Sequence, residues 1–97
     1  MNDFIKLSNK DNVITLLRNF KQNETIKIDE KNIILTEDIK RGNKVSINNI
    51  KKGDSIIKSN FSIGSAINDI AIGSLVHTHN TEMNLDSHLD FTYRLFN

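Results

Sequence analysis

The sequence predicts a small all-β domain, and three observations lead to this fold class. The apolar segments are short, isoleucine recurs along the whole chain, and one turn pattern built on glycine or asparagine is repeated four times. Proline is absent, so the turns must be made by Gly, Asn and Asp. Ninety-seven residues are enough for one domain over 1–97 with a modest core and little room for a deep cleft. We expect the core at about 3–80 and a tail at 81–97.

The first two strands are expected at 3–7 and 13–17, separated by a polar turn over 8–12. The second segment begins with β-branched residues, which favours a strand. A short helix over 12–20 is the alternative, because four apolar side chains would share one helical face. These side chains are Val13, Leu16, Leu17 and Phe20.

The repeated turn pattern occupies 19–26, 38–45, 49–56 and 69–76, which we call copies 1 to 4. Each copy has Asn or Asp before an apolar residue, then two residues, then Gly or Asn, and an apolar residue three positions later. We expect the Asn or Asp side chain to cap its own turn and the Gly or Asn to adopt positive φ. The spacing between copies is irregular, unlike that of a solenoid repeat.

Strands are expected after each of these turns, at 25–28, 44–47, 54–57 and 74–78. A further strand at 32–35 would pair with 25–28 through the turn at 29–31. The segment 62–66 is interpreted as a loop in which Gly64 allows a close backbone approach. One or two short helical turns would complete the architecture.

The greatest concentration of potential chemistry is Val76-His77-Thr78-His79-Asn80. On a strand, side chains at i and i+2 point to the same face, so His77 and His79 would project together, with Asn80 at the strand end. Two imidazoles can bind a metal or carry protons. A metal site needs three or four ligands, so the others must come from elsewhere in the chain or from another chain. The alternative is a pair of ordinary surface histidines.

Composition excludes several classes of function. The net charge is +1 with interspersed charges, which argues against a nucleic-acid-binding surface. The absence of cysteine excludes disulfides and thiolate chemistry. The sequence contains no apolar run long enough to span a membrane and no visible secretory signal, so we expect a cytoplasmic protein. Phosphate-binding glycine loops, nucleophile elbows and His-Glu-x-x-His helices are also missing.

A few other residues are candidates for a role. Lys44 and Lys58 each lie at the end of an expected strand and could bind a carboxylate or phosphate, or simply be solvated. Asp11 is expected to cap or bend the chain, and His88 to lie on the surface. The apolar tail could pack on a partner chain, including a second copy, or close its own core.

Several motifs, taken in order along the chain, resemble one family. They are Asp11-Asn12-Val13, Gly42-Asn43-Lys44, Ile50-Lys51-Lys52-Gly53, Ile57-Lys58, Ile63-Gly64, Asp69-Ile70-Ala71-Ile72-Gly73, Val76-His77-Thr78-His79-Asn80 and Asn84-Leu85. Together they resemble the N-terminal SAF domain of altronate and galactarate dehydratases, over roughly residues 3–94.

The resemblance implies a β-clip fold and a role in removing water from a sugar acid with the help of a divalent metal, iron or manganese. It also implies that most of the catalytic machinery lies in a larger domain or a large dehydratase subunit, so that this chain would not be active alone. His77, His79 and Asn80 match the family's His-x-His-Asn. His77 and His79 would then serve as catalytic residues and metal ligands, and Asn80, Lys44 and Lys58 as contacts to the sugar acid.

Two positions depart from the family pattern. Asn43 replaces the histidine of Gly-His-Lys, and Ser59-Asn60 replaces the Tyr-Gly that follows the lysine. These departures are compatible with a different substrate acid or with a subunit that is losing catalysis. The second reading fits an alternative function, a non-catalytic module that binds a carbohydrate acid. A further alternative is a structural subunit that covers its partner's active site.

Overall fold

A computed structural model describes residues 3–84 of the chain. Every regular element in that range is a strand, which confirms the all-β prediction. The nine strands are β1 (Phe4–Ile5), β2 (Val13–Leu16), β3 (Thr25–Ile28), β4 (Lys31–Ile34), β5 (Lys44–Ser46), β6 (Ser55–Lys58), β7 (Phe61–Ala66), β8 (Leu75–Val76) and β9 (Thr81–Met83). The helix alternative for 12–20 is wrong, and residues 3–84 contain none of the expected helical turns.

The strands form three antiparallel sheets. The central sheet has the order β1-β2-β5-β8, while β3 and β4 form a two-stranded hairpin and β6, β7 and β9 a three-stranded sheet. The pairing of β3 with β4 confirms the expected hairpin, whose turn consists of Asp29 and Glu30. Small sheets of short strands are consistent with the β-clip fold that the resemblance implies.

The central sheet has an apolar cluster on each face. Alternation along β2 and β5 directs Ile14 and Val45 to one face and Val13 to the other. The first face packs on Phe20, Ile26, Ile28, Ile33, Leu35 and Ile39, together with Leu16 and Ile47. The second face, which also carries Val76, packs on Ile50, Ile56, Ala66 and Ile70. One sheet therefore contributes to both cores.

The four turn copies are paired, copy 1 with copy 2 and copy 3 with copy 4. The anchor residues form isolated bridges between Phe20 and Ile39 and between Ile50 and Ile70. All four anchors are buried, with at most 3% of their surface exposed. Copies 1 and 2 thus form one pair of turns, and copies 3 and 4 form an equivalent pair. Each pair holds the hairpin between its two copies against the central sheet.

The Asn and Asp residues of the turn copies bond across these pairs. Asn19 Oδ1 accepts from the amide of Arg41 at 2.8 Å, and Asp38 Oδ1 accepts from the amide of Gln22 at 2.7 Å. The equivalent bonds in the second pair join Asn49 Oδ1 to the Ile72 amide at 2.9 Å and Asp69 Oδ1 to the Lys52 amide at 2.8 Å. The expectation that each side chain caps its own turn is therefore wrong, because its acceptor serves the paired copy.

Positive φ at the Gly or Asn of each copy is confirmed. The φ angles are 72° at Asn23, 89° at Gly42, 91° at Gly53 and 87° at Gly73. A strand follows every one of them. The hairpins between the paired copies turn through Asp29-Glu30 and Ser59-Asn60, with positive φ at all four residues. The described chain therefore contains the same arrangement twice, with β5 shared between the two halves.

The segment 62–66 is a strand and not the expected loop. Its Gly64 pairs with Met83 of β9, and a Cβ at this glycine would overlap the carbonyl oxygen of Glu82. The close backbone approach was predicted correctly, but it occurs between paired strands. The other corrections are at strand ends: β1 is shorter than 3–7, and β8 ends at Val76.

Residues 85–97 of the expected tail, including His88, lie outside the described residues. Among residues 3–84, the structure contains no helix long and apolar enough to cross a membrane.

Candidate ligand-binding site

The two histidines lie on a turn and not on a strand, so the expected strand placement is wrong. β8 ends at Val76, and the amide of Asn80 donates to the carbonyl of His77 at 3.1 Å, which closes a turn over 77–80. The i, i+2 rule for strands therefore does not determine where His77 and His79 point. The turn is short because β9 starts immediately after it, at Thr81.

Two buried polar side chains hold this turn from inside. Asn80 Oδ1 accepts from the His77 amide at 3.0 Å, and its Nδ2 donates to the Leu75 carbonyl at 2.8 Å. The Thr81 hydroxyl donates to the His77 carbonyl at 2.7 Å. Asn80 is 8% exposed and Thr81 is 9% exposed. These bonds give Asn80 a structural role, while the expectation that it also contacts a sugar acid stays a prediction.

The outer side of the turn carries the imidazoles. His77, Thr78 and His79 are all exposed. His77 Nδ1 lies 3.1 Å from the Thr78 hydroxyl, which leaves Nε2 as the ring atom available to a ligand. Residues 3–84 contain no group of three or more His, Asp or Glu side chains that could hold a metal ion. The two histidines therefore do not make a complete metal centre by themselves.

Lys44 lies beside the strand that leads into the histidine turn. It pairs with Thr15 of β2 on one side and with Val76 of β8 on the other. Paired residues share a face, so Lys44 is on the second face of the central sheet together with Val76. His77 is the next residue after Val76, which brings the turn and Lys44 to the same end of the sheet.

Lys44 is a half-buried cation with no partner of opposite charge. Burial lowers the pKa of Lys44, and the positive charge of Lys58 lowers it further. Among residues 3–84, neither lysine side chain forms a hydrogen bond or an ion pair. By contrast, Lys6 pairs with Asp29 at 2.5 Å. Two neighbouring ammonium groups without a carboxylate are a favourable place for an anion.

Asp11 is a buried carboxylate. Among the described residues it is stabilised by hydrogen bonds and not by an ion pair. Its Oδ1 accepts from the Ser8 hydroxyl at 2.5 Å and the Asn60 amide at 3.0 Å. Its Oδ2 accepts from the amides of Leu7 and Ser8, both at 3.1 Å. Burial acts to raise the pKa of Asp11, but the Ser8 side chain and the backbone donors outweigh it and lower the pKa. The expected capping role is confirmed.

The residues that depart from the family pattern have local structural roles. Asn43 Nδ2 donates to the Lys40 carbonyl at 3.1 Å and so closes its own turn. Ser59 and Asn60 have φ of 55° and 69° and form the β6–β7 turn. These positions shape the backbone next to Lys44 and Lys58.

The positive charge of Lys58 acts on Lys44, and the histidine turn follows directly after the strand that pairs with Lys44. The roles expected for these residues stay predictions. Sequence reasoning missed the bonds of Asn12 to β6, at Ile57 and Ser55. The signal was present, since Asp11-Asn12-Val13 is one of the motifs of the resemblance. A lone acid and amide gave no indication of a bonding partner more than 40 residues away.

The chain is similar in sequence to known proteins of one family. The family model for the altronate/galactarate dehydratase SAF domain matches residues 2–84. The chain is 41% identical over 93 residues to an altronate dehydratase of Bacillus subtilis, and 35% identical over 91 residues to that of Escherichia coli. These matches cover 96% and 94% of this chain but only 19% and 18% of the relatives. The chain thus spans about a fifth of their length.

A third relative is a subunit of another lyase. The chain is 44% identical over 43 residues to the protein named (2R)-sulfolactate sulfo-lyase subunit alpha of Paracoccus pantotrophus. That match covers 44% of this chain and 64% of the subunit. Since the family model covers most of the chain and two relatives match along nearly all of it, the chain belongs to the altronate/galactarate dehydratase SAF domain family.

Proposed function

We propose that this chain is the small subunit or N-terminal domain of a hydro-lyase that removes water from a sugar acid of the altronate or galactarate type. A larger catalytic chain completes its site. The observation that carries the proposal is the match along nearly the whole chain to about a fifth of two altronate dehydratases. The relative named subunit alpha supports an arrangement in separate chains.

The side chains of the candidate site suit recognition of such a substrate. Lys44 and Lys58 form an uncompensated cationic pair, which would contact the carboxylate of the acid. His77 and His79 face solvent on a turn braced from inside, where they can reach a partner chain and exchange protons. β-Elimination of water needs a base for the α-proton and an acid for the departing hydroxyl, and imidazoles can serve in either role.

Iron or manganese at this site remains part of the proposal. A divalent metal would act as a Lewis acid toward the leaving hydroxyl. Because residues 3–84 do not supply a complete set of ligands, we assign no step to the metal. The remaining ligands would have to come from the partner.

Co-purification followed by reconstitution tests the proposal. A tagged chain should bring down a large dehydratase chain in equal amounts from native lysate. The complex should then dehydrate altronate or galactarate, and His77→Ala with His79→Ala should reduce kcat at least tenfold. Glu82→Gln, an exposed position on β9 just after the same turn, is the matched control and should retain activity. Full activity of the double histidine variant would overturn the site assignment.

The second candidate function is a non-catalytic module that binds a carbohydrate acid. The observation that favours it is Asn43, which stands in place of a family histidine and uses its side-chain amide to close a turn. In that case galactarate should bind to the chain, and the chain should not promote turnover of galactarate by any large subunit. A fully active large subunit without this chain would contradict the catalytic proposal and favour this candidate.

A further inference from the structure

The β6–β7 hairpin is fastened to the start of β2 by two consecutive side chains, Asp11 and Asn12. Asp11 Oδ1 accepts from the Asn60 amide at 3.0 Å. Asn12 Oδ1 accepts from the Ile57 amide at 2.7 Å, and its Nδ2 donates to the Ser55 carbonyl at 2.9 Å. We call this pair of side chains the β2 clamp.

The β2 clamp grips the backbone on both sides of Lys58. Ile57 precedes this lysine and is held by Asn12, while Asn60 lies two residues after it and is held by Asp11. The strand register of β6 and β7 shifts between Ile56 and Ile57, so the Asn12 side chain bonds next to an irregular point in the strand. The clamp therefore fixes a part of the hairpin that its own ladder holds less regularly.

Lys44 is positioned from the same strand. β2 pairs with β5 so that Thr15 lies opposite Lys44, three residues after Asn12. A single short strand thus determines where both lysines lie. Like charges repel, and a hairpin free to move would carry the Lys58 ammonium away from Lys44 into solvent. Bonds to the buried Asp11, 3% exposed, oppose that movement.

We infer that Asp11 and Asn12 are positioning residues that hold Lys58 beside Lys44, so that the two ammonium groups receive one carboxylate of the ligand. The choice of a carboxylate rests on the proposed function. The holding of Lys58 rests only on the hydrogen bonds and on the register of the strands.

The first test measures the pKa of Lys44 by side-chain NMR in the 97-residue chain. Lys58→Met removes the neighbouring charge and should raise the pKa of Lys44. Asp11→Asn should raise it as well, because it releases Lys58, and should add little when combined with Lys58→Met. Loss of the Asp11 negative charge alone would lower the pKa of Lys44, so the sign of the change separates the two effects. An unchanged or lowered pKa of Lys44 in Asp11→Asn would overturn the inference.

Asn12→Ala gives the same test without a change of charge and applies even if Asp11→Asn fails to fold. It should also raise the pKa of Lys44. Asp38→Asn is the matched control. Asp38 also accepts a backbone amide from a residue distant in sequence, Gln22, but this bond joins copies 1 and 2 of the turn pattern and does not involve the β6–β7 hairpin. The control should lower stability and leave the pKa of Lys44 unchanged. If the control shifts Lys44 as much as Asn12→Ala does, the clamp has no specific positioning role.

Binding of potassium galactarate to the same variants tests the choice of ligand separately. Wild type should bind it, and Asn12→Ala and Lys58→Met should each weaken binding by at least threefold, with chemical-shift changes at Lys44. If Lys44 responds to the clamp variants as expected but galactarate fails to bind to wild type, the positioning stands and the carboxylate ligand is overturned.

Discussion

Two buried polar residues, Asp11 and Asn80, hold the turns next to the candidate site. Asp11 bonds to the β6–β7 turn after Lys58, and Asn80 bonds within the histidine turn. Each satisfies several backbone groups that would otherwise be buried without partners. A buried donor that loses its acceptor costs about 1–3 kcal/mol, which is large compared with the total stability of a small domain. At the residue scale, these side chains therefore contribute to stability and to the geometry of the site together.

Asp11 should make the free energy of unfolding of the domain depend on pH in the acidic range. Its pKa is lowered in the folded state, so its contribution is present above the unfolded pKa and is lost as pH falls through the folded pKa. Asp11→Asn should cost about 1–3 kcal/mol at neutral pH, since one of its two acceptor oxygens becomes a donor. Urea unfolding at pH 7 and at lower pH measures this. The difference between wild type and variant should shrink as pH falls, and a constant difference would contradict the prediction.

Asn80→Ala should loosen the histidine turn. The variant leaves the His77 amide and the Leu75 carbonyl without their side-chain partner, at a cost of about 1–3 kcal/mol. Urea unfolding gives the loss of stability, and backbone NMR shifts at His77 and His79 show whether the turn changes. Thr78→Ala, an exposed neighbour, should change stability by less than about 0.5 kcal/mol. Unaltered shifts at both histidines in Asn80→Ala would show that the turn does not need the amide.

At the element scale, the repeated turns are the units that hold the hairpins to the central sheet. Each has one positive-φ residue, a buried anchor and a capping side chain that bonds to the paired copy. The pattern of residues was visible in the sequence. The pairing was not, because the bonded amides lie 16 to 23 residues away and only the tertiary fold brings them within reach.

Two glycines in equivalent turns should respond differently to alanine. Both have positive φ, at which alanine costs about 1–2 kcal/mol. A Cβ at Gly42 would meet no atom within 4 Å, whereas a Cβ at Gly73 would overlap the carbonyl oxygen of Ile34. Gly73→Ala should therefore be more destabilising than Gly42→Ala by at least about 1 kcal/mol. Chemical denaturation of the two variants checks this, and equal losses would contradict the close approach.

At the scale of the whole molecule, the central sheet connects two apolar clusters. Its strands direct alternate side chains to opposite faces, so neither cluster can lose its packing without exposing one face of the same sheet. The equivalence of the two halves follows from this arrangement, since each half adds one pinned hairpin to one face. The candidate site lies on the second face, where Lys44 and Val76 share a row.

This arrangement predicts that the two clusters unfold together. Ile39→Ala and Ile70→Ala remove equivalent anchors from the first and second cluster, which are 2% and 3% exposed. Each should cost about 2–5 kcal/mol, the range for isoleucine-to-alanine changes in a core. Far-UV circular dichroism and NMR peak intensities from residues of each half should report one common unfolding transition. Separate transitions for the two halves would show that the sheet does not couple them.

The sequence by itself determined the all-β class, the four turns with their positive-φ residues, the β3–β4 hairpin and the family. These depend on local physics, namely short β-branched segments, the steric freedom of Gly and Asn, and motifs contiguous in the chain. Only the tertiary structure decided that the turns pair, that 62–66 is a strand and that the histidines lie on a turn. It also revealed that Asp11 and Asn12 hold the hairpin of Lys58. Those features depend on hydrogen bonds between residues distant in sequence, and their partners cannot be identified from local pattern alone.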